Sequence, residues 1–129
     1  MLSKLREWFL RYRDYRRLAA LGERAVVINT DDNGISATYS DGQVAAIRWS
    51  EVDTVAIVTN DSGPWGYDVH WLLEGNATRC IYPNGATGSE NALEQLEKRF
   101  PGFSDEMVIK AMGSTSNKRF VCWERSNAP

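Results

Sequence analysis

The hydrophobic residues of the chain follow two different periods, and the first is helical. In residues 3–20, apolar and aromatic side chains recur at steps of three and four residues, Ser3 is a suitable N-cap, and Gly22 ends the run. Most of the arginines fall between the apolar positions. The pattern predicts an amphipathic helix over residues 1–21, with an aromatic stripe flanked by guanidinium groups.

From Arg24 the period changes to two, which predicts a body of short strands and later helices over residues 24–125. Turn-forming residues separate the strands, among them Asp31-Asp32-Asn33-Gly34 and Asp41-Gly42. Hairpin turns between short strands favour antiparallel pairing. We therefore predict an α+β fold in which about six or seven strands form one bent antiparallel sheet, a partly open barrel or sandwich.

The helical period returns towards the end of the body. Ser89-Glu90 begins one helix, and Ser104-Asp105-Glu106 caps a shorter one. The shorter helix is expected to turn four apolar residues inward: Met107, Val108, Ile109 and Met112. A last strand is predicted over residues 119–124, and residues 126–129 are expected to fray. Residues 1–129 are predicted to form a single domain, since 14.6 kDa is an ordinary size for one.

The formal net charge of −2 hides an uneven distribution. Residues 1–17 hold six basic and two acidic residues, a formal charge of +4, whereas the rest of the chain holds nine basic and fifteen acidic residues, a formal charge of −6. No run of the sequence resembles a signal peptide or approaches the ~18 apolar residues of a membrane span. A cytoplasmic protein with a basic arm on an acidic body is predicted.

The residues that usually carry chemistry are few and scattered. Cys80 and Cys122 lie in apolar strand-like runs, which indicates buried thiols in a reducing compartment rather than a disulfide. His70 is predicted to be a half-buried strand residue bonded to a neighbour rather than a general base, which would need a nucleophile or substrate beside it. The turn at Asp31 lacks the acidic residue that a calcium loop needs at its twelfth position, which is Gly42. No catalytic residue, metal or cofactor is predicted, and no enzymatic activity.

Several spaced motifs resemble a family of small stand-alone bacterial proteins whose members are largely uncharacterised. The motifs span roughly residues 24–125 and are Ile47-Arg48-Trp49-Ser50-Glu51-Val52, Gly63-Pro64, Asp68-Val69-His70-Trp71-Leu72-Leu73, Phe100-Pro101-Gly102-Phe103 and Ala111-Met112-Gly113-Ser114-Thr115. The Trp-Ser-Glu-Val corner also resembles bacterial pleckstrin-homology-like domains, which implies a bent antiparallel sheet. Small proteins of this kind include immunity proteins, which neutralise toxins delivered by neighbouring bacteria.

An immunity protein would be expected to bind its toxin without altering it chemically. Many such toxins are basic nucleases, and an acidic surface would mimic their phosphate substrate. The candidate contact surface is a loop and strand edge with Trp65 as its aromatic anchor, formed by Asp53, Asp61, Trp65 and Asp68. Asp31 and Asp32 are the alternative rim. The alternative for Trp65 is a ring folded back over the edge of the sheet.

The arginine-rich helix supports a second hypothesis, a membrane-surface or scaffold module. The helix would dock on anionic lipid or on an acidic partner through five arginines: Arg6, Arg11, Arg13, Arg16 and Arg17. A helix packed on the body with solvated arginines remains the plainer interpretation. Nucleic acid is not expected as a partner, because the acidic body would repel a phosphate backbone.

Overall fold

A computed structural model describes residues 25–59, 69–114 and 116–126 of the chain. Within these ranges it contains seven strands, two α-helices and one short 3-10 helix. In chain order the elements are β1 (Val27–Thr30), β2 (Gly34–Thr38), β3 (Val44–Arg48), the 3-10 helix (Trp49–Glu51), β4 (Thr54–Thr59), β5 (Val69–Glu74), β6 (Arg79–Pro83), α1 (Ser89–Arg99), α2 (Asp105–Met112) and β7 (Lys118–Glu124).

The strands form two antiparallel sheets rather than one. The first has three strands in the order β1-β2-β3, and the second has four in the order β6-β5-β4-β7. The prediction of a single bent sheet of the pleckstrin-homology-like kind is therefore wrong. The predicted N-terminal helix, residues 1–21, lies outside the described residues.

The break between the sheets occurs at the 3-10 helix. Strand β3 ends where the chain turns to bury the Trp49 ring, and the Glu51 carboxylate accepts the Arg48 N–H at 3.1 Å. Val52 is fully buried beyond the turn, and Asp53 N–H donates to the Glu74 carbonyl at 2.7 Å. The chain thus leaves the first sheet and starts the second, because burying Trp49 prevents β3 from continuing into β4.

The inner faces of the two sheets enclose the core. Ile57, Trp71 and Tyr82 lie in one row across β4, β5 and β6, and all three are buried. An aromatic side chain that buries about 150–250 Å² contributes roughly 4–6 kcal/mol of transfer free energy before entropic costs. The first sheet contacts this layer through the Cys80 thiol, which donates to the Ala45 carbonyl at 3.5 Å.

Helix α1 packs against β1 of the first sheet, and α2 packs against β7 and β4 of the second sheet. Helix α2 departs from its predicted orientation. Ile109 is 72% exposed and Met112 is 42% exposed, so the expectation that both face inward is wrong. The fully buried residue of this helix is Ala111, which packs in the core. Ile109 lies two residues from Ala111, about 200° around the helix axis, and therefore points away from the core.

Candidate functional site

The turn between β1 and β2 presents two adjacent carboxylates, those of Asp31 and Asp32. The Asp31 carboxylate accepts the N–H of Asn33 at 2.8 Å and that of Gly34 at 2.9 Å. These two bonds, the one from Asn33 first, lower the pKa of Asp31 below its usual value. The turn is therefore held by its own carboxylate in the ionised form. The sequence predicted a turn here but not this bonding, and none of its four residues has a positive φ.

Gly34 is required by the close approach of β3. A Cβ atom at this position would lie 2.3 Å from the Ile47 carbonyl oxygen. The glycine lets the turn sit against the neighbouring strand, where Trp49 N–H donates to the Asn33 carbonyl at 2.9 Å. The acidic turn is thus fixed to β3 through main-chain contacts.

Trp49 supports the turn from below. Its indole Nε1–H donates to the Asp31 carbonyl at 2.8 Å, and its ring meets the Phe100 ring edge-on at 5.9 Å between centroids. The ring is buried, so Trp49 is a structural support and not an exposed anchor. It links the acidic turn to the end of α1.

Arg99, the last residue of α1, lies over the Trp49 ring at 4.9 Å from its centroid. Its Nε–H donates to the Gln95 side chain at 3.0 Å, and one Nη2–H donates to the Asp31 carbonyl at 3.4 Å. The same Nη2 lies 3.6 Å from the Asp32 carboxylate, whose side chain is otherwise fully exposed. An exposed pair of this kind contributes only about 0–1 kcal/mol, which leaves Asp32 available to a partner.

These residues form the acidic-turn surface, which we define as Asp31, Asp32, Asn33, Trp49 and Arg99. A groove of about 610 Å³ lies beside Asp31 and is lined by the other four of these residues together with Arg48 and Ser50. Its lining joins acidic, basic and amide side chains over an aromatic base. Such a mixture suits polar recognition of a protein surface.

Asp53 follows the 3-10 helix in the chain and contacts Arg125, which forms a second arginine–tryptophan pair. Arg125 lies 5.5 Å from the centroid of the Trp123 ring and donates through Nε to the Asp53 carboxylate at 3.2 Å. Arg125 also donates to the carbonyls of Val52 at 2.6 Å and Ser50 at 3.2 Å. Asp31 and Asp32, which are consecutive in sequence, thus share one turn, whereas Asp53 lies outside that turn and pairs with Arg125.

The remaining predicted contact residues, Asp61, Trp65 and Asp68, lie outside the described residues, and so do the arginines of the N-terminal helix: Arg6, Arg11, Arg13, Arg16 and Arg17. Sequence reasoning missed Arg99 and Arg125, each of which stacks on a tryptophan and pairs with a predicted aspartate. The sequence placed Arg99 beside Phe100 at the end of a predicted helix. That position did not indicate that Arg99 stacks on Trp49.

The two thiols and the imidazole of the described residues are fully or partly buried. Cys80 and Cys122 are free and buried, as predicted, and burial raises the pKa of each thiol to about 11. His70 is half-buried in β5, as predicted, and desolvation lowers its pKa, which favours the neutral ring. Among residues 25–59, 69–114 and 116–126, no three His, Cys, Asp or Glu side chains are grouped as metal ligands.

A comparison with known proteins finds no matching family model, curated protein or solved structure. No helix in the described part of the chain is long and apolar enough to cross a membrane. The functional proposal therefore depends on the geometry of the acidic-turn surface.

Proposed function

We propose that this protein is a cytoplasmic immunity protein, which neutralises a bacterial toxin by binding it stoichiometrically. The observation that carries the proposal is the fixed presentation of Asp31 and Asp32. Their turn is held by two hydrogen bonds to the Asp31 carboxylate, by the Trp49 indole and by Arg99. Because the main chain of the turn and the Asp31 carboxylate are already ordered, binding a basic partner costs little further conformational entropy there.

The charge of the described residues supports a basic partner. They carry twelve acidic and eight basic side chains, a formal net charge of −4. Acidic complementarity of this kind speeds the encounter with a basic protein and discriminates against acidic ones. Arg99 and Arg48 on the same groove add donors for carbonyl or carboxylate groups of the partner. The surface therefore suits a protein partner with mixed polar groups better than a bare polyanion.

Binding, rather than turnover, is the activity that the site supports. The Asp31 carboxylate accepts two main-chain hydrogen bonds of its own turn, while the two thiols are buried and protonated at neutral pH. We therefore expect the partner to be inhibited by occlusion of its active site and to be released unmodified.

The test is co-expression with each toxin domain encoded beside the gene, together with measured association rates of the purified pair. Asp32→Lys should slow association by about tenfold, because it reverses a charge on the contact surface. Glu106→Lys is the matched control, since Glu106 also forms an exposed ion pair at 3.6 Å, with Lys110 on α2. The proposal would be contradicted if co-expression rescued cells from none of the toxins. It would also be contradicted if both variants slowed association equally.

A further inference from the structure

The free edges of the two sheets differ in how they are covered. Beside β1, the Ile28 N–H donates to the Thr87 carbonyl at 2.7 Å, and the Thr87 N–H returns a bond to the Val26 carbonyl at 2.9 Å. Beside β7, the Ser104 N–H donates to the Cys122 carbonyl at 2.8 Å. Chain segments before α1 and α2 thus occupy part of each of these edges.

The edge of β6 is blocked by side chains. The Tyr39 hydroxyl donates to the Ile81 carbonyl, which points away from β5. Pro83 stands two residues further along the same edge and has no N–H to offer. A strand added at this edge would have to displace the Tyr39 contact.

The edge of β3 is open with respect to the described residues, 25–59, 69–114 and 116–126. Tyr39 N–H donates to the Gln43 carbonyl at 2.8 Å, and Trp49 N–H donates to the Asn33 carbonyl at 2.9 Å. Because antiparallel bonding alternates, these two bonds direct the main chains of Val44 and Ala46 away from β2. Neither residue's outward N–H or C=O has a hydrogen-bond partner in the described part of the chain. Both residues are also exposed, Val44 to 61%.

The surroundings of this edge specify what would fit. Strand β3 contains no lysine or proline, which commonly protect free edges, and its one charged residue is the exposed Arg48 at its end, beside Glu51. Asp41 precedes the strand and Glu51 follows it, both exposed. Exposed Val44 lies between them and presents an apolar side chain. An extended segment with an apolar residue over Val44 and basic residues towards its ends would match this pattern.

We propose that the open edge of β3 binds an extended, basic segment of the partner protein by strand addition. The segment would pair with the main chains of Val44 and Ala46 while its cations approach Asp41 and Glu51. The inference rests on the proposed function and deepens it. It adds the edge of β3 to the acidic-turn surface as a second contact with the toxin, and it states that the toxin segment bound there is extended. A second copy of this chain fits less well: antiparallel pairing centred on Ala46 would place Asp41 opposite Glu51 of the copy.

The first test measures amide hydrogen exchange in the full-length free protein by NMR at several concentrations. The amides of Val44 and Ala46 should exchange rapidly at all of them, whereas that of Ile47, bonded within the sheet, should be protected. Protection of Val44 and Ala46 at every concentration would mean that the chain covers its own edge. Protection that appears only at high concentration would mean self-association. Either result overturns the proposal.

The second test adds a blocked seven-residue peptide of alternating lysine and valine and follows the same amides. The peptide should protect Val44 and Ala46, and its binding should weaken as salt rises. A peptide of alternating glutamate and valine is the charge control and should bind at least about tenfold more weakly. Equal binding of the two peptides would contradict the basic character assigned to the segment.

Variants of the edge separate strand addition from general attraction. Ala46→Pro removes an outward N–H from an edge position that tolerates proline, and Val44→Lys repels the basic peptide. Each should weaken binding by about tenfold, a free-energy loss of about 1.4 kcal/mol. Val27→Lys is the matched control: Val27 is 38% exposed on the same face of the same sheet, but on the covered edge strand β1. Unchanged binding by Ala46→Pro would overturn the proposal.

Co-expression distinguishes this inference from the proposed function. If the wild-type protein rescues cells and Ala46→Pro rescues them equally, the strand-addition inference is wrong and the immunity function stands. If the wild-type protein rescues cells from none of the toxins, the immunity function is wrong. The peptide experiments alone then decide whether the edge of β3 binds a basic strand.

Discussion

The guanidinium carbon of Arg99 lies 4.9 Å from the centroid of the Trp49 ring, so the end of α1 rests on the 3-10 helix that separates the two sheets. The same arginine donates to the main chain of the acidic turn at Asp31. One side chain therefore connects a helix, the junction between the sheets and the proposed binding surface. Arginine suits this position because its planar group can stack and donate at the same time.

Arg99→Ala should lower the free energy of unfolding by about 1–2 kcal/mol, since it removes a cation–π contact and hydrogen bonds to Gln95 and Asp31. Urea denaturation followed by tryptophan fluorescence measures the change. Lys98→Ala is the control, because Lys98 is well exposed and makes only a surface pair with Glu94 at 3.7 Å. Equal losses for the two variants would show that the stack on Trp49 does not stabilise the fold.

Gly34→Ala should destabilise the protein by about 2 kcal/mol or more, since the new methyl group would collide with the Ile47 carbonyl oxygen. Gly113→Ala provides the comparison: its Cβ would meet no atom closer than 3.8 Å, and its φ of −92° suits any residue. Thermal unfolding of both variants tests the prediction. A Gly34→Ala protein as stable as wild type would show that β2 and β3 can separate at this point.

The stability of the acidic turn should depend on pH in the acid range. Hydrogen bonds to its carboxylate lower the pKa of Asp31 in the folded protein, below the usual value of 3.8. A depressed pKa means that the stabilisation is fully present above the unfolded-state pKa and is lost as pH falls through the folded-state value. Stability should therefore fall more steeply below about pH 4 in the wild type than in Asp31→Asn, whose amide oxygen still accepts the turn bonds.

Denaturant unfolding between pH 7 and pH 2.5 measures that slope. Glu106→Gln is the control, because it removes a carboxylate from a surface ion pair on α2. The prediction is wrong if Asp31→Asn and the wild type lose stability in parallel over the acid range.

Both thiols should resist thiol–disulfide exchange in the folded protein and react once it unfolds. Cys80 is fully buried and Cys122 nearly so, and burial raises the pKa of each to about 11. In a titration with 5,5′-dithiobis-(2-nitrobenzoate), the folded protein in buffer should release thionitrobenzoate slowly. The unfolded protein in denaturant should release two equivalents per chain. Rapid release of one equivalent from the native protein would show that a local opening exposes one strand.

Local features were predictable from sequence where a short motif determines them. The Asp41-Gly42 pair predicted a hairpin, and the structure has one between β2 and β3, with Gly42 at a φ of +87°. The Ser104 cap was also predictable, and its hydroxyl accepts the Met107 N–H at 3.2 Å. In both cases the deciding contacts join residues that are close in sequence.

Features that depend on distant contacts were not predictable. The Trp49-Ser50-Glu51-Val52 corner predicted a bend in one sheet, whereas the buried Trp49 ring ends the first sheet there. Ile109 is exposed because Ala111 is the residue of this helix that docks in the core. In so short an apolar run, the sequence cannot show which face of the helix is buried. The contact of Arg99 with Trp49 joins residues fifty positions apart, and no local pattern signals such a pair.

The pairing of β4 with β7 also affects when the molecule can fold during synthesis. Thr54–Thr59 is a central strand only because Lys118–Glu124 pairs along its outer side. While the ribosome is still adding residues 60–117, that side of β4 has no strand beside it. The four-stranded sheet is therefore completed only after β7 has been made, so a nascent chain that stops at residue 117 should leave one side of β4 without its strand partner.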